Sequence, residues 1–178
     1  MGFLRTALVA AVLLTTLLLQ LTVLPWIHLP GATPDLLLVA VAALGLAGGP
    51  VRGAAAGFVA GLLIDIVPPA DGVLGLSAVI LTVVGYLAGE FGDRRDDRPA
   101  LVTLAFVALL GGVSVAAYAV FGSIVGNSAA DWNRLPLFIV TAALYAGVVA
   151  AFLVPAVGAL VLRLEPNEQS YQVGRYDR

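Results

Sequence analysis

Arg52-Gly53-Ala54-Ala55-Ala56-Gly57-Phe58-Val59-Ala60-Gly61-Leu62-Leu63-Ile64-Asp65 is the stretch on which the fold turns. Gly53, Gly57, Gly61 and Asp65 recur every four residues, so in a helix they share one face. Nearly every other position is apolar. A row of glycines lets a second helix approach closely, and the row ends in a carboxylate that lipid would reject. The segment reads as a membrane helix with one face built to meet protein rather than hydrocarbon.

The rest of the chain agrees. Of its 178 residues 61% are hydrophobic and only 11% charged, with a mean hydropathy of +1.03. Soluble domains are about 45–50% apolar and about 25% charged, so these charges could not cover a soluble fold of this size. There is no cysteine, which excludes disulfides, thiolate metal sites and thiol nucleophiles. The single histidine, His28, excludes a multi-histidine metal site. A net charge of −2 with no basic stripe gives no sign of nucleic-acid binding.

Six spans are expected, forming an all-α transmembrane domain over residues 1–164. They cover about 5–24, 34–48, 52–67, 73–91, 100–123 and 136–163, the last with a kink at Pro155. Prolines and glycines punctuate them: Pro25, Pro34, Gly48-Gly49-Pro50 and Pro68-Pro69. The first is long enough to cross a bilayer and no cleavage signal follows it, so it reads as a retained span rather than a signal peptide. Spans 2 and 3 are short for a 30 Å hydrocarbon core, which leaves a tilted or re-entrant pair as an alternative. Residues 165–178 read as a flexible cytoplasmic tail.

Arginine placement orients the bundle. With a cytoplasmic N-terminus, inner segments carry Arg5, Arg52, Arg94, Arg95, Arg98, Arg163, Arg175 and Arg178, and outer segments carry Arg134 alone. Trp26 and Trp132 then both sit at the outer interface, where indole rings favour the headgroup region. Both termini are therefore expected in the cytoplasm.

Asp65 and Asp35 are the acidic residues of interest. Asp65 lies about 20 Å along its helix from Arg52 and can end the helix, serve packing or partner contact, or bind an ion. Pro34-Asp35 opens the second span, where an acidic residue suits a helix N-terminus. The topology puts both on the outer side of adjacent spans, where two carboxylates could share a proton or a cation. Gly72, Gly75, Gly85 and Gly89 are assigned to the fourth span and read as internal packing positions. Glu90 and the run Asp93-Arg94-Arg95-Asp96-Asp97-Arg98 read as an interfacial residue and a solvated loop. His28, Tyr171 and Tyr176 are unspecific. No nucleophile elbow, HExxH pair or lysine-bearing phosphate loop occurs, so no enzyme and no cofactor are expected.

Several stretches, in order, carry a family resemblance: Pro34-Asp35-Leu36-Leu37-Leu38, then Gly48-Gly49-Pro50-Val51-Arg52-Gly53, then Gly57-Phe58-Val59-Ala60-Gly61-Leu62-Leu63-Ile64-Asp65. Gly72-Val73-Leu74-Gly75-Leu76 and Gly85-Tyr86-Leu87-Ala88-Gly89 follow. This order resembles the rod shape-determining protein MreD family over about residues 34–91. Pro34, Asp35, Gly57, Gly61, Asp65 and Gly75 match its pattern, whereas the Pro68-Pro69-Ala70-Asp71 turn departs from it. The resemblance implies a six-helix inner-membrane protein similar in fold to the substrate-binding subunits of energy-coupling-factor vitamin transporters. It implies a non-enzymatic scaffold that binds MreC and, through MreC, RodA and a class B penicillin-binding protein, helping to regulate peptidoglycan synthesis and cell shape. A homodimer is left open. Joined to the glycine row, it places the MreC helix in a groove at span 3, with Gly53, Gly57, Gly61, Asp65, Asp35 and Gly75 as packing or partner-binding residues. The rival reading is a vitamin-binding transporter subunit with an outer pocket built from Asp35, Asp65, Trp26 and Trp132. An ion-coupled transporter would rest on Asp35 and Asp65 alone.

Overall fold

A thirteen-residue helix forms the axis of the structure. The computed structural model describes residues 2–27, 31–67, 74–93, 99–124 and 131–164. His28, the Pro68-Pro69-Ala70-Asp71 turn, Gly72, the loop residues 94–98 and the tail with Tyr171 and Tyr176 lie outside them. The described residues form six α-helices: α1 (Gly2–Thr22), α2 (Leu36–Gly48), α3 (Pro50–Ile66), α4 (Leu76–Asp93), α5 (Ala100–Ile124) and α6 (Leu135–Leu164). A 3-10 turn over Leu24–Trp26, holding Pro25, follows α1.

Local chemistry sets the helix ends. Asp35 caps α2, its Oδ1 accepting from the Leu38 N–H at 2.9 Å. Gly49 ends α2 at φ 84°, its N–H donating to the Gly45 carbonyl, and Pro50 starts α3 in the next residue. A side chain is strained at that φ and proline is suited to a first helical turn, so Gly49-Pro50 reverses the chain within one residue. Gly75, at φ 90°, stands ahead of α4 rather than within it. The fourth helix therefore begins three residues later than the sequence reading had it, because a left-handed glycine breaks the helical path. The sixth runs unbroken through Pro155 for 30 residues.

Four helices, α1, α4, α5 and α6, are long and apolar enough to cross a membrane, and the protein is a multi-pass membrane protein. The other two are shorter: 13 and 17 residues give about 20 and 26 Å. In α2 every residue from Leu37 to Leu46 is buried. A helix apolar on all sides and this short belongs to a protein core. It packs on α1, α3, α4 and α6 and touches α5 slightly. Leu37, Leu38, Val39 and Val41 join Leu13 of α1, Leu81 of α4 and Val107 of α5 in the centre of the core. Gly49 comes to rest beside the carboxylate of Asp93, the last residue of α4. The α2–α3 hairpin thus reaches the same end of the bundle as a helix of crossing length.

The most extensive contacts join α3 to α4, then α5 to α6. Phe91 and Phe106 stack at 4.0 Å between α4 and α5. The first helix leans mainly on α2 and barely meets α3 or α6. One end of the bundle, the aspartate end, gathers Trp26, Asp35, Asp65, Gly75 and Trp132. The opposite, arginine end gathers Arg5, Gly49, Arg52, Asp93 and Arg163.

Candidate functional site

The glycine row of α3 faces α4 and is filled by it. A Cβ on Gly53 would overlap the Gly85 carbonyl, and one on Gly85 would overlap that of Gly53. One on Gly57 would overlap the Leu81 carbonyl, and one on Gly61 the backbone of Ser77 and Ala78. Gly45 of α2 meets Gly85 in the same way, and Gly89 meets Pro50. Three helices therefore touch backbone to backbone, each contact demanding the absence of a side chain. The face that the sequence reading offered to a partner helix is occupied from within the bundle. What α3 leaves exposed is the other side, with Phe58, Val59, Leu62 and Ile66.

The last residue of the row does different work. Asp65 Oδ2 accepts from the Gly75 N–H at 2.8 Å and the Ala78 N–H at 3.4 Å. The start of α4 has unpaired N–H groups and a positive dipole end, and a carboxylate satisfies both. It comes from another helix, so the contact staples the end of α3 to the start of α4. Asp65 and Gly75, ten residues apart in sequence, form one device.

Asp35 and Asp65 are not hydrogen-bonded to each other; each serves the start of a different helix. Gln20 of α1 assists at α2, its Oε1 accepting from the Leu37 N–H at 2.8 Å, and it lies against the Asp35 carboxylate. Tyr118 of α5 stands beside the Ser77 hydroxyl of α4. Gly31, at φ 87°, packs on Thr141 of α6, whose Oγ1 accepts from the Ala32 N–H at 3.0 Å.

Several of these groups line a cavity of about 420 Å³ at the aspartate end, between α1, α2, α5 and α6. Gln20, Asp35, Ser114 and Tyr118 line it together with Leu38, Val115 and Phe138. Of the four residues the rival reading enlisted for an outer pocket, Asp35 lines this cavity. Asp65 does not, and Trp26 and Trp132 turn outward, 84% and 55% exposed. Sequence reasoning missed Gln20, Ser114 and Tyr118. Their signal was available, since each is a polar side chain inside an apolar span, where such residues usually face the bundle interior. Among the described residues, no three His, Cys, Asp or Glu gather as a metal site would require.

No curated protein and no solved structure matches the chain, so the likeness to vitamin-transporter subunits stays an implication of the family resemblance. The family model for rod shape-determining protein MreD matches residues 1–163. That match runs from the first helix into the last turn of the sixth, well beyond the motifs at 34–91. With four helices long and apolar enough to cross a membrane and a glycine-packed α2–α3–α4 unit, the chain belongs to the MreD family of rod shape-determining membrane proteins.

Proposed function

We propose that the protein is a non-enzymatic scaffold of the bacterial elongation machinery, set in the inner membrane with both termini cytoplasmic. Its task is to hold the transmembrane helix of MreC and so orient MreC's outer domain toward a class B penicillin-binding protein and RodA. Family membership supplies the role in rod shape. The observation that carries the scaffold reading is the α2–α3–α4 unit. Glycine-mediated backbone contact along its length leaves little freedom for these helices to slide or swing. A stiff framework suits a protein that positions others. Its two singled-out carboxylates support the same reading, because both bind helix starts.

The orientation rests on charge. Arg5, Arg52 and Arg163 lie at one end, while Arg134 lies at the other beside Asp131 at 3.4 Å. Lysine and arginine favour the cytoplasmic side.

A partner helix needs a face other than the glycine row. The exposed side of α3, next to a first helix that barely touches it, is the seat this reading assigns to MreC. A Phe58→Ala, Leu62→Ala double variant removes apolar contact area there without reaching the core. It is expected to lower recovery of MreC with the tagged protein several-fold while the unfolding temperature in detergent stays unchanged. Wild-type recovery by that variant removes α3 as the seat. Recovery of a second copy of this chain in place of MreC makes the face a homodimer interface.

A further inference from the structure

The geometry points to a binding site for a small amine-bearing molecule in the cavity at the aspartate end, with Asp35 receiving the ammonium group. This goes beyond the scaffold reading and does not depend on it. The volume of about 420 Å³ falls in the range of ligand pockets, about 300–1,000 Å³. The walls come from α1, the segment before α2, α2 itself, α5 and α6. They bring a carboxylate, an amide, a hydroxyl and a phenol from Asp35, Gln20, Ser114 and Tyr118 into a space whose other described lining side chains, Thr33 apart, are apolar.

The charge balance selects the ligand class. None of the described lining residues is basic, and Asp35 is the one acidic residue among them. An anionic ligand would meet that carboxylate with no cation among the described lining residues to offset it. A bare metal ion would fill a small part of the space, and no cluster of ligating side chains stands ready among the described residues. A protonated amine places a compact positive charge and three donors against the carboxylate. Tyr118 and Phe138 border the same space, and aromatic rings attract ammonium groups. Leu38, Val115, Ala142 and Ala146 suit an apolar body attached to the amine. Two sources share this chemistry: the headgroup of an aminophospholipid and a free amine.

Asp35 also caps α2, so the test has to separate charge from cap. Asparagine caps helices as well as aspartate does, and Asp35→Asn keeps an oxygen for the Leu38 N–H while losing the charge. The full chain is placed in nanodiscs of mixed phosphatidylethanolamine and phosphatidylglycerol and, separately, in detergent with phenethylamine, and bound molecules are read by native mass spectrometry. Wild type is expected to retain phosphatidylethanolamine over phosphatidylglycerol, or to bind phenethylamine. Asp35→Asn is expected to lose about tenfold or more of that binding, as befits a lost charged hydrogen bond, with an unchanged unfolding temperature. Asp131→Asn, at an exposed carboxylate on the same end, is expected to bind as wild type does. Retention of the lipid without phenethylamine identifies a headgroup site, and the reverse identifies a free-amine site. Equal binding by wild type and Asp35→Asn, or binding of neither probe by wild type, overturns the proposal.

Discussion

Asp65 shows how one side chain can join two helices. Its carboxylate reaches from the end of α3 to the Gly75 and Ala78 N–H groups at the start of α4. Losing a helix cap costs about 0.5–2 kcal/mol, so Asp65→Ala is expected to destabilise the protein by about 1 kcal/mol in that range. Asp65→Asn keeps an acceptor oxygen and should recover most of the loss. Unfolding of both variants in detergent, followed by circular dichroism, checks this. Equal losses would mean that the charge matters and the hydrogen bonds do not. Part of this device was legible in the sequence. Asp65 stood out as a carboxylate at the end of an apolar helix, and helix ending was one of its readings. That its partner is Gly75 was not legible, because nothing local says that the two ends meet. Gly75 was assigned to the helix, yet it adopts φ 90° just ahead of it. A lone glycine near a helix start carries no mark of the hand of its backbone.

At the scale of elements, the contact between α3 and α4 decides the architecture. The four-residue glycine spacing declared that some helix would come close, but not which one. The answer is the next helix in the chain, whose Gly85 and Gly89 supply the matching surface. Gly57→Ala would force a Cβ against the Leu81 carbonyl and the Thr82 nitrogen. Overpacking of this kind costs about 1–3 kcal/mol, and the loss should appear as a lower unfolding temperature. Gly158→Ala supplies the control: a Cβ there meets nothing within 4 Å, so stability should hold within about 0.5 kcal/mol. If both variants behave alike, the close approach of α3 and α4 is not what sustains the bundle. The central place of α2 was harder to read. A uniformly apolar helix looks the same whether lipid or protein surrounds it. Its length, 13 residues, was the one clue. The cavity beside it was legible only in its parts: Gln20, Asp35, Ser114 and Tyr118 each stand out as polar in an apolar chain, but they come from three separate stretches that only the folded bundle brings together.

Across the whole molecule, the two ends of the bundle differ in charge, and that difference gives the orientation its test. The chain has no cysteine, so a single introduced one is an unambiguous reporter. Thr33→Cys and Asp131→Cys are expected to react with a membrane-impermeant maleimide in intact, outer-membrane-permeabilised cells. Asp93→Cys should react only after the inner membrane is opened. The reverse pattern would invert the topology and with it the side on which any partner domain is held. The scaffold assignment faces a more direct trial. Tagged protein extracted from native membranes, with mass spectrometry of everything that accompanies it, reads protein partners and small molecules together. A single-span MreC-like protein is expected in near-equal amount, with RodA and a class B penicillin-binding protein whose recovery falls when MreC is removed. Protein recovered without any MreC-like partner, or carrying a vitamin in its place, would contradict it.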